Sequence, residues 1–145
     1  MGFMIHSTDD GRVPATEYLP AGAVTPKAGM ALKQTEGKLV LASGTNCPTY
    51  ISMCERDAAC TAEEVIPVIR VGGDMIFETT FSAAADAVKL GDKVTVGADG
   101  LSVTATTGGP AEVVYMDGAG KGSMCRVRFN QVYAGQDSAE TETEG

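Results

Sequence analysis

The chain has 145 residues, of which 43% are hydrophobic and 21% charged, and its 19 acidic and 11 basic side chains give a formal net charge of −8. This length predicts one compact domain, and so low a charged fraction excludes a disordered polyelectrolyte. The acidic balance argues against nucleic acid as a partner, because phosphate backbones would repel the protein. A membrane partner or secretion is not expected either, since the apolar runs are far shorter than about 20 residues and the N-terminus has no signal-peptide pattern.

Residues 1–20 have no periodic pattern. They mix Gly, Pro, Thr and Asp with isolated apolar side chains, which predicts an extended N-terminal arm ahead of the folded body. The apolar residues Phe3, Met4 and Ile5 could anchor this arm to another molecule. The other interpretation is a frayed terminus without a role, and the sequence does not separate the two.

The segment 21–134 is typical of a β domain. Short runs of apolar and β-branched residues alternate with turns, and Asp99-Gly100 between two alternating runs is a strong hairpin signature. Pro67 lies inside one run, which predicts an edge strand or a bulge there. Short strands at this spacing predict a mainly β fold, a small antiparallel β-sandwich or barrel. The predicted strands cover 30–33, 38–41, 50–55, 64–71, 75–81, 93–96, 101–104, 113–116 and 124–129.

Two further segments have a different composition. Residues 82–88 are rich in alanine, begin at Ser82, which is a good N-cap, and end shortly before Gly91, so they predict one short helix lying on a sheet. Residues 135–145 contain four acidic residues and no basic residue, which predicts a flexible acidic C-terminal tail. No convincing internal repeat is visible.

The sequence predicts no catalytic centre and no cofactor. The single histidine, His6, lies in the predicted arm, far from a nucleophile in a rigid setting. The glycine-rich run at 118–122 lacks the spacing of a phosphate-binding loop and precedes a predicted strand instead of a helix. Acidic residues beside glycines usually make turn hydrogen bonds and not a calcium site. They are Asp92, Asp99 and Asp117.

The four cysteines lack the close-spaced pairs of a structural zinc site, so no metal is predicted. Cys54 and Cys125 lie in strand-like runs, where a buried, small apolar role is expected. Whether Cys47, Cys54 and Cys60 form a disulfide or a metal site stays open.

Several short motifs together resemble the capsid decoration proteins of tailed phages, which are also called head-stabilising or cement proteins. The resemblance covers roughly residues 19–130. The motifs are LPAGAV at 19–24, AGMAL at 28–32, GKLVLA at 37–42, LGDKVTV at 90–96 and DGL at 99–101.

The resemblance implies a β-tulip-like body, often a homotrimer, that binds the major capsid protein at three-fold or quasi-three-fold sites. It implies a structural virion protein, made in the host cytoplasm and seated on the outer capsid surface, that stabilises the expanded head. It carries no catalytic residue over to this chain. Because an N-terminal arm that orders on the capsid is common in the family, the expected capsid contacts are Phe3, Met4, Ile5 and Tyr18.

An alternative hypothesis is a carbohydrate- or surface-binding β-module. Such a module needs an exposed aromatic platform, and the chain supplies no Trp, four Tyr and four Phe. A small enzyme is a third and less favoured hypothesis, because no histidine or carboxylate pair stands out as the centre of a cleft.

Overall fold

The computed structural model describes residues 2–8, 11–61 and 64–129. Within these ranges the chain forms eleven β-strands and no helix. The predicted acidic tail at 135–145 and the end of the predicted β domain at 130–134 lie outside the described residues. The strands are β1 (Met4–Ser7), β2 (Glu17–Pro20), β3 (Ala31–Thr35), β4 (Lys38–Leu41), β5 (Tyr50–Ser52), β6 (Val65–Arg70), β7 (Ile76–Thr80), β8 (Lys93–Val96), β9 (Val103–Thr107), β10 (Ala111–Met116) and β11 (Met124–Phe129).

The strands belong to two sheets, in which neighbouring strands run antiparallel. Their order is β1-β7-β11-β10-β8-β9 in the six-stranded sheet and β2-β6-β5-β3-β4 in the five-stranded sheet. The predicted mainly β fold with antiparallel sheets is therefore confirmed. Both predicted hairpins are present, as β3–β4 and β8–β9. The first turns through Glu36 and Gly37 with φ of 52° and 82°, as a type I′ turn requires.

Each sheet curls back on itself. In the five-stranded sheet Ala21, which follows β2, forms a parallel bridge with Leu39 of β4. In the six-stranded sheet Phe81, which follows β7, forms the same kind of bridge with Val103 of β9. Strand twist brings distant strands together in this way, and the closure leaves fewer open strand edges.

The two sheets contain the same arrangement twice. When β2 to β6 are matched in order with β7 to β11, the strand orders are identical and the two parallel bridges coincide. The hydrogen bonds coincide as well: Gly29 N–H donates to Ser52 O and Gly91 N–H donates to Val113 O, both at 2.8 Å. We call residues 17–70 the first unit and residues 76–129 the second unit, and β1 stands outside this repeat.

The sequence shows no convincing internal repeat, yet the structure contains one. The clearest shared residues are Lys27 and Gly29, which correspond to Lys89 and Gly91. In both units the residue after the glycine donates its N–H to the lysine carbonyl at 3.0 Å, and the glycine φ is 81° or 95°. This positive φ explains why glycine is needed.

The glycine pair offers a matched test of how β1 is held. A methyl group on Gly29 would lie 2.8 Å from Phe3 N and 2.9 Å from Gly2 Cα, whereas one on Gly91 would meet nothing within 4 Å. Gly91→Ala is expected to cost about 1–2 kcal/mol through its left-handed backbone alone. Gly29→Ala is expected to cost at least about 1 kcal/mol more, because β1 must shift. Urea denaturation of both variants measures this difference, and equal losses would contradict the described docking of β1.

The five-stranded sheet is apolar on both faces. Leu32 and Val68 belong to the hydrophobic cluster inside the first unit. The side chains that alternate with them, Ala31, Ile51 and Ile69, belong to a second cluster that continues through the interior of the second unit. The second face of this sheet therefore packs on the six-stranded sheet, and this contact joins the two units.

The contact between the units buries the outer face of the first unit but not the equivalent face of the second unit. On the first unit, the strand register places Ala31, Ile51 and Ile69 side by side in an apolar row. A third unit stacked in the same direction would have to bury the equivalent row of the second unit, which is charged, and burying unpaired charges is costly. That equivalent row consists of Lys93, Glu112 and Arg128.

The predicted helix at 82–88 is wrong. These residues form bends and turns, because their backbone donors bond to other segments. Ser82 N–H donates to Val103 O at 2.8 Å, and Ala85 N–H donates to Ala119 O at 2.7 Å. An alanine-rich run of two turns is too short to form a helix against this competition.

Pro67 lies in an inner strand and not at an edge or bulge. β6 is flanked by β2 and β5. Ala21 N–H bonds to Glu64 O, so these two residues form a hydrogen-bonded pair. Bonded and non-bonded pairs alternate along an antiparallel ladder. Tyr18 and Pro67, three pairs further along, therefore face each other without mutual hydrogen bonds. On the other side Pro67 O accepts a bond of 2.9 Å from Met53 N–H, just past the end of β5. The missing proline N–H therefore removes no bond between β2 and β6.

The described residues of segment 1–20, which was predicted as an arm, take part in both sheets. They contribute β1 to the six-stranded sheet and β2 to the five-stranded sheet. Phe3 N–H donates to Gly29 O at 2.9 Å, and the Phe3 ring packs edge-on against Phe129 with 5.2 Å between centroids. The beginning of the chain therefore connects the two units.

Candidate interaction surface

The structure separates the predicted contact residues Phe3, Met4 and Ile5, which lie in β1 or directly before it, into two groups. Phe3 is buried and Ile5 packs partly buried against the same cluster. Met4, which lies between them and pairs with Glu78, is 57% exposed. This alternation means that Phe3 and Ile5 hold β1 in place, whereas Met4 is free to contact another molecule.

A groove lies between β1 and the five-stranded sheet. It has a volume of about 430 Å³. Its wall is mostly apolar, which is typical of a site that receives apolar side chains. The wall includes Phe3, Met4 and Ile5 on one side and Ile51, Met53 and Ile69 on the other.

The fourth predicted contact residue, Tyr18, lies on a surface that adjoins this groove. Tyr18 is 68% exposed and pairs with Pro67, whose carbonyl in turn accepts a bond from Met53. Met53 and Val65 are each 50% exposed. We call Tyr18, Met53, Val65 and Pro67 together with the adjoining groove the apolar face. Exposed apolar side chains grouped in this way mark an interaction site.

Met53 and Val65 were missed as candidate contacts. The run from Val65 to Ile69 is apolar at every position, so its two faces cannot be told apart by alternation. Val65 is exposed, whereas Ile66 is buried inside the first unit. Pro67 is the one residue of this run that indicates exposure, because proline is common where a sheet meets solvent.

The first unit contains two charged pairs, Arg70 with Glu17 and Arg56 with Glu64. The Arg70 guanidinium lies 5.0 Å from the centre of the Tyr50 ring, and its Nε donates to Glu17 at 3.3 Å. The backbone N–H of Thr61 and the Arg56 guanidinium hold the pKa of Glu64 below its ordinary value. The stabilisation from Glu64 is therefore present above its ordinary pKa and is lost as the pH falls through the lowered value.

The four cysteines are free thiols. Burial raises the pKa of Cys47 to about 11 and that of Cys125 to about 12. Cys60 is buried and Cys54 packs partly buried against the interior of the first unit. The expected small apolar role of Cys54 and Cys125 matches these positions.

The structure also locates the other residues considered for chemistry. Among the described residues, no three side chains of His, Cys, Asp or Glu are grouped so that they could hold a metal ion. Asp92 accepts a bond from Lys89 N–H, and Asp99 accepts one from Leu101 N–H, both at 2.9 Å. These local bonds are the turn chemistry predicted for both residues.

Exposed aromatic side chains are few in the described part of the chain. All four Phe and Tyr50 are buried, and Tyr133 lies outside the described residues. Tyr18 and Tyr115 are exposed, but they belong to different sheets, and Tyr115 stacks on Arg126 at 4.6 Å. They do not form one aromatic platform.

No protein-family model and no curated protein sequence matches this chain. Within residues 2–8, 11–61 and 64–129, there is no helix with the length and apolar character to cross a membrane. Because no relative supplies functional residues, the apolar face is identified as the candidate site from the structure alone.

Proposed function

We propose that this protein is a capsid decoration protein of a tailed phage, which binds the outer surface of the major capsid shell and stabilises the expanded head. The observation that carries this proposal is the apolar face beside β1, because it combines the expected contacts Met4 and Tyr18 with the exposed Met53 and Val65. A ligand that binds the assembled shell and not the free subunits stabilises the shell by mass action.

We also propose that the protein acts as a homotrimer at three-fold or quasi-three-fold sites, with a β-tulip-like body. Trimer symmetry would present three copies of the apolar face to three neighbouring capsid subunits. Linked contacts of this kind add through effective concentration, so each one need be only weak. Sedimentation of the free protein distinguishes a trimer from a monomer.

The direct test is to mix the purified protein with expanded heads that lack a decoration protein. Saturable binding at a fixed ratio to the capsid subunits is expected, with heads that resist heat better than undecorated heads. Failure to bind at any ratio would refute the proposal.

A surface substitution tests whether the apolar face makes the contact. Met53→Glu is expected to lower the affinity for heads about tenfold or more, because a side chain that the shell buries would carry a charge. The matched control is Leu90→Glu in the second unit, since Leu90 is 64% exposed and does not belong to the apolar face. Equal affinity of both variants in a head-binding titration would place the contact elsewhere.

The alternative function, a carbohydrate- or surface-binding β-module, is supported by the exposed Tyr18 ring. Tyrosine rings stack on the apolar faces of sugars. A glycan array separates the two functions, because a module of this kind would bind glycans and lose binding in Tyr18→Ala.

A further inference from the structure

The internal repeat places Tyr18 at the position that Glu78 has in the second unit. Ala21 and Phe81 form the equivalent parallel bridges, and each lies three residues after the residue in question. The neighbouring strands agree, because Tyr18 pairs with Pro67 of β6 and Glu78 pairs with Arg126 of β11.

Both residues direct their backbone polar groups away from the inner sheet neighbour. Ala21 N–H bonds to Glu64 O at 2.9 Å, and Phe81 N–H bonds to Ser123 O at 3.0 Å. Hydrogen-bonded and non-bonded pairs alternate along an antiparallel ladder. Three residues earlier in each unit, the N–H and C=O groups of Tyr18 and Glu78 therefore point to the outer edge of β2 and of β7.

The two edges differ in what covers them. In the second unit β1 lies along β7, with Met4 paired to Glu78 and Ile5 paired to Phe77. In the first unit β2 is the last strand of its sheet. β4 closes on this edge only past the end of β2, where Ala21 forms the bridge with Leu39, and no strand of the described ranges pairs with Tyr18. The first unit thus has an open copy of the edge that β1 fills in the second unit.

We propose that the edge of β2 receives an extended strand of the capsid shell protein, paired antiparallel through the N–H and C=O of Tyr18. This inference rests on the proposed function. The pairing of β1 indicates how the incoming strand would lie: its residue opposite Tyr18 corresponds to Met4, and its residue opposite Glu17 corresponds to Ile5. Backbone bonds then supply the affinity, and Val65 and Met53, which share the face of Tyr18, supply apolar contacts for the side chain that corresponds to Met4.

The edge suits a short foreign strand better than a second copy of β2. By the same alternation, the backbone N of residue 20 faces the outer edge of β2. Because residue 20 is a proline, it has no N–H to donate there. Pairing along this edge is therefore restricted to the neighbourhood of Tyr18. Proline and charged residues on an edge are the usual protection against pairing between identical edges. β2 carries both, Pro20 and Glu17.

A proline substitution tests the backbone contact. Tyr18→Pro removes the outward N–H but no bond to β6, and it lies opposite Pro67, which is already accommodated there. Tyr18→Ala is the matched control, because it removes the same ring and keeps the N–H. Tyr18→Pro is expected to bind heads about tenfold more weakly than Tyr18→Ala, since a strand bond is lost and the pyrrolidine ring blocks the edge. Circular dichroism and urea denaturation confirm that both variants fold.

Amide hydrogen exchange supplies a second readout. On head-bound protein, the Tyr18 amide is expected to exchange at least about tenfold more slowly than on free protein. Equal binding of the two variants, or unchanged exchange at Tyr18 on protein that does bind heads, would overturn this inference and leave the proposed function intact. Slow exchange at Tyr18 in the free protein, together with a dimeric mass, would also overturn it, because the edge would then pair with a second copy.

Failure of the proposed function is recognised separately. If the wild-type protein binds no head, the edge can still be tested with a synthetic peptide of residues 2–8 added to the full chain. The Tyr18 amide is then expected to shift in an NMR titration. An unchanged Tyr18 amide at saturating peptide would contradict an edge that accepts a β1-like strand.

Discussion

Phe129→Ala is expected to lower the free energy of unfolding by about 3–5 kcal/mol. Phe129 is fully buried, and its ring lies 5.2 Å from that of Phe3 and 5.6 Å from that of Phe77. Phe3 directly precedes β1, and the other two rings belong to β7 and β11. The cavity would therefore open where the beginning and end of the described chain meet. Because a domain of this size is stable by about 5–15 kcal/mol in total, the variant would be close to unfolding at moderate temperature.

Urea denaturation followed by circular dichroism measures this loss. Leu90→Ala is the control, because Leu90 is exposed and its truncation is expected to change stability by no more than about 0.5 kcal/mol. A loss below about 1 kcal/mol for Phe129→Ala would contradict the described packing of β1 on the second unit.

Gly109→Ala is expected to destabilise the fold by at least about 3 kcal/mol. Gly109 lies between β9 and β10, directly over β8, and an added methyl group would overlap the carbonyl of Val94 and Cα of Thr95. Both are backbone atoms of a strand bonded on both sides, so neither can rotate away as a side chain could.

Gly73→Ala is the matched control for this substitution. Nothing lies within 4 Å of a methyl group on Gly73, and its backbone is not left-handed. A change within about 0.5 kcal/mol is expected for it. Thermal melts of both variants make the comparison, and similar melting temperatures would refute the close approach of Gly109 to β8.

The strands were largely predictable from the sequence. The runs at 38–41, 93–96 and 124–129 match β4, β8 and β11 to the residue. They are flanked by turn residues and contain alternating or β-branched side chains, both of which are local properties. The helix at 82–88 failed because the same local reasoning ignores the acceptors that Val103 and Ala119 offer to its backbone.

The candidate site was predictable only in part. The sequence predicts Met4 and Tyr18 as contacts because they belong to the predicted arm, and both are exposed. Phe3 has the same appearance in the sequence, yet it is buried, because β1 pairs with β7 more than seventy positions later. Strand pairing over such a distance leaves no trace in the composition of the paired segment.

Local sequence alone thus establishes that the chain is mainly β and where most strands and turns lie. Only the tertiary structure decides which strands pair, that the same five-stranded unit occurs twice, and that one unit has a covered edge and the other an open one. The physical reason is that alternation and turn chemistry act between neighbouring residues. Pairing and exposure depend on apolar rows, such as that of Ala31, Ile51 and Ile69, finding partners from distant parts of the chain.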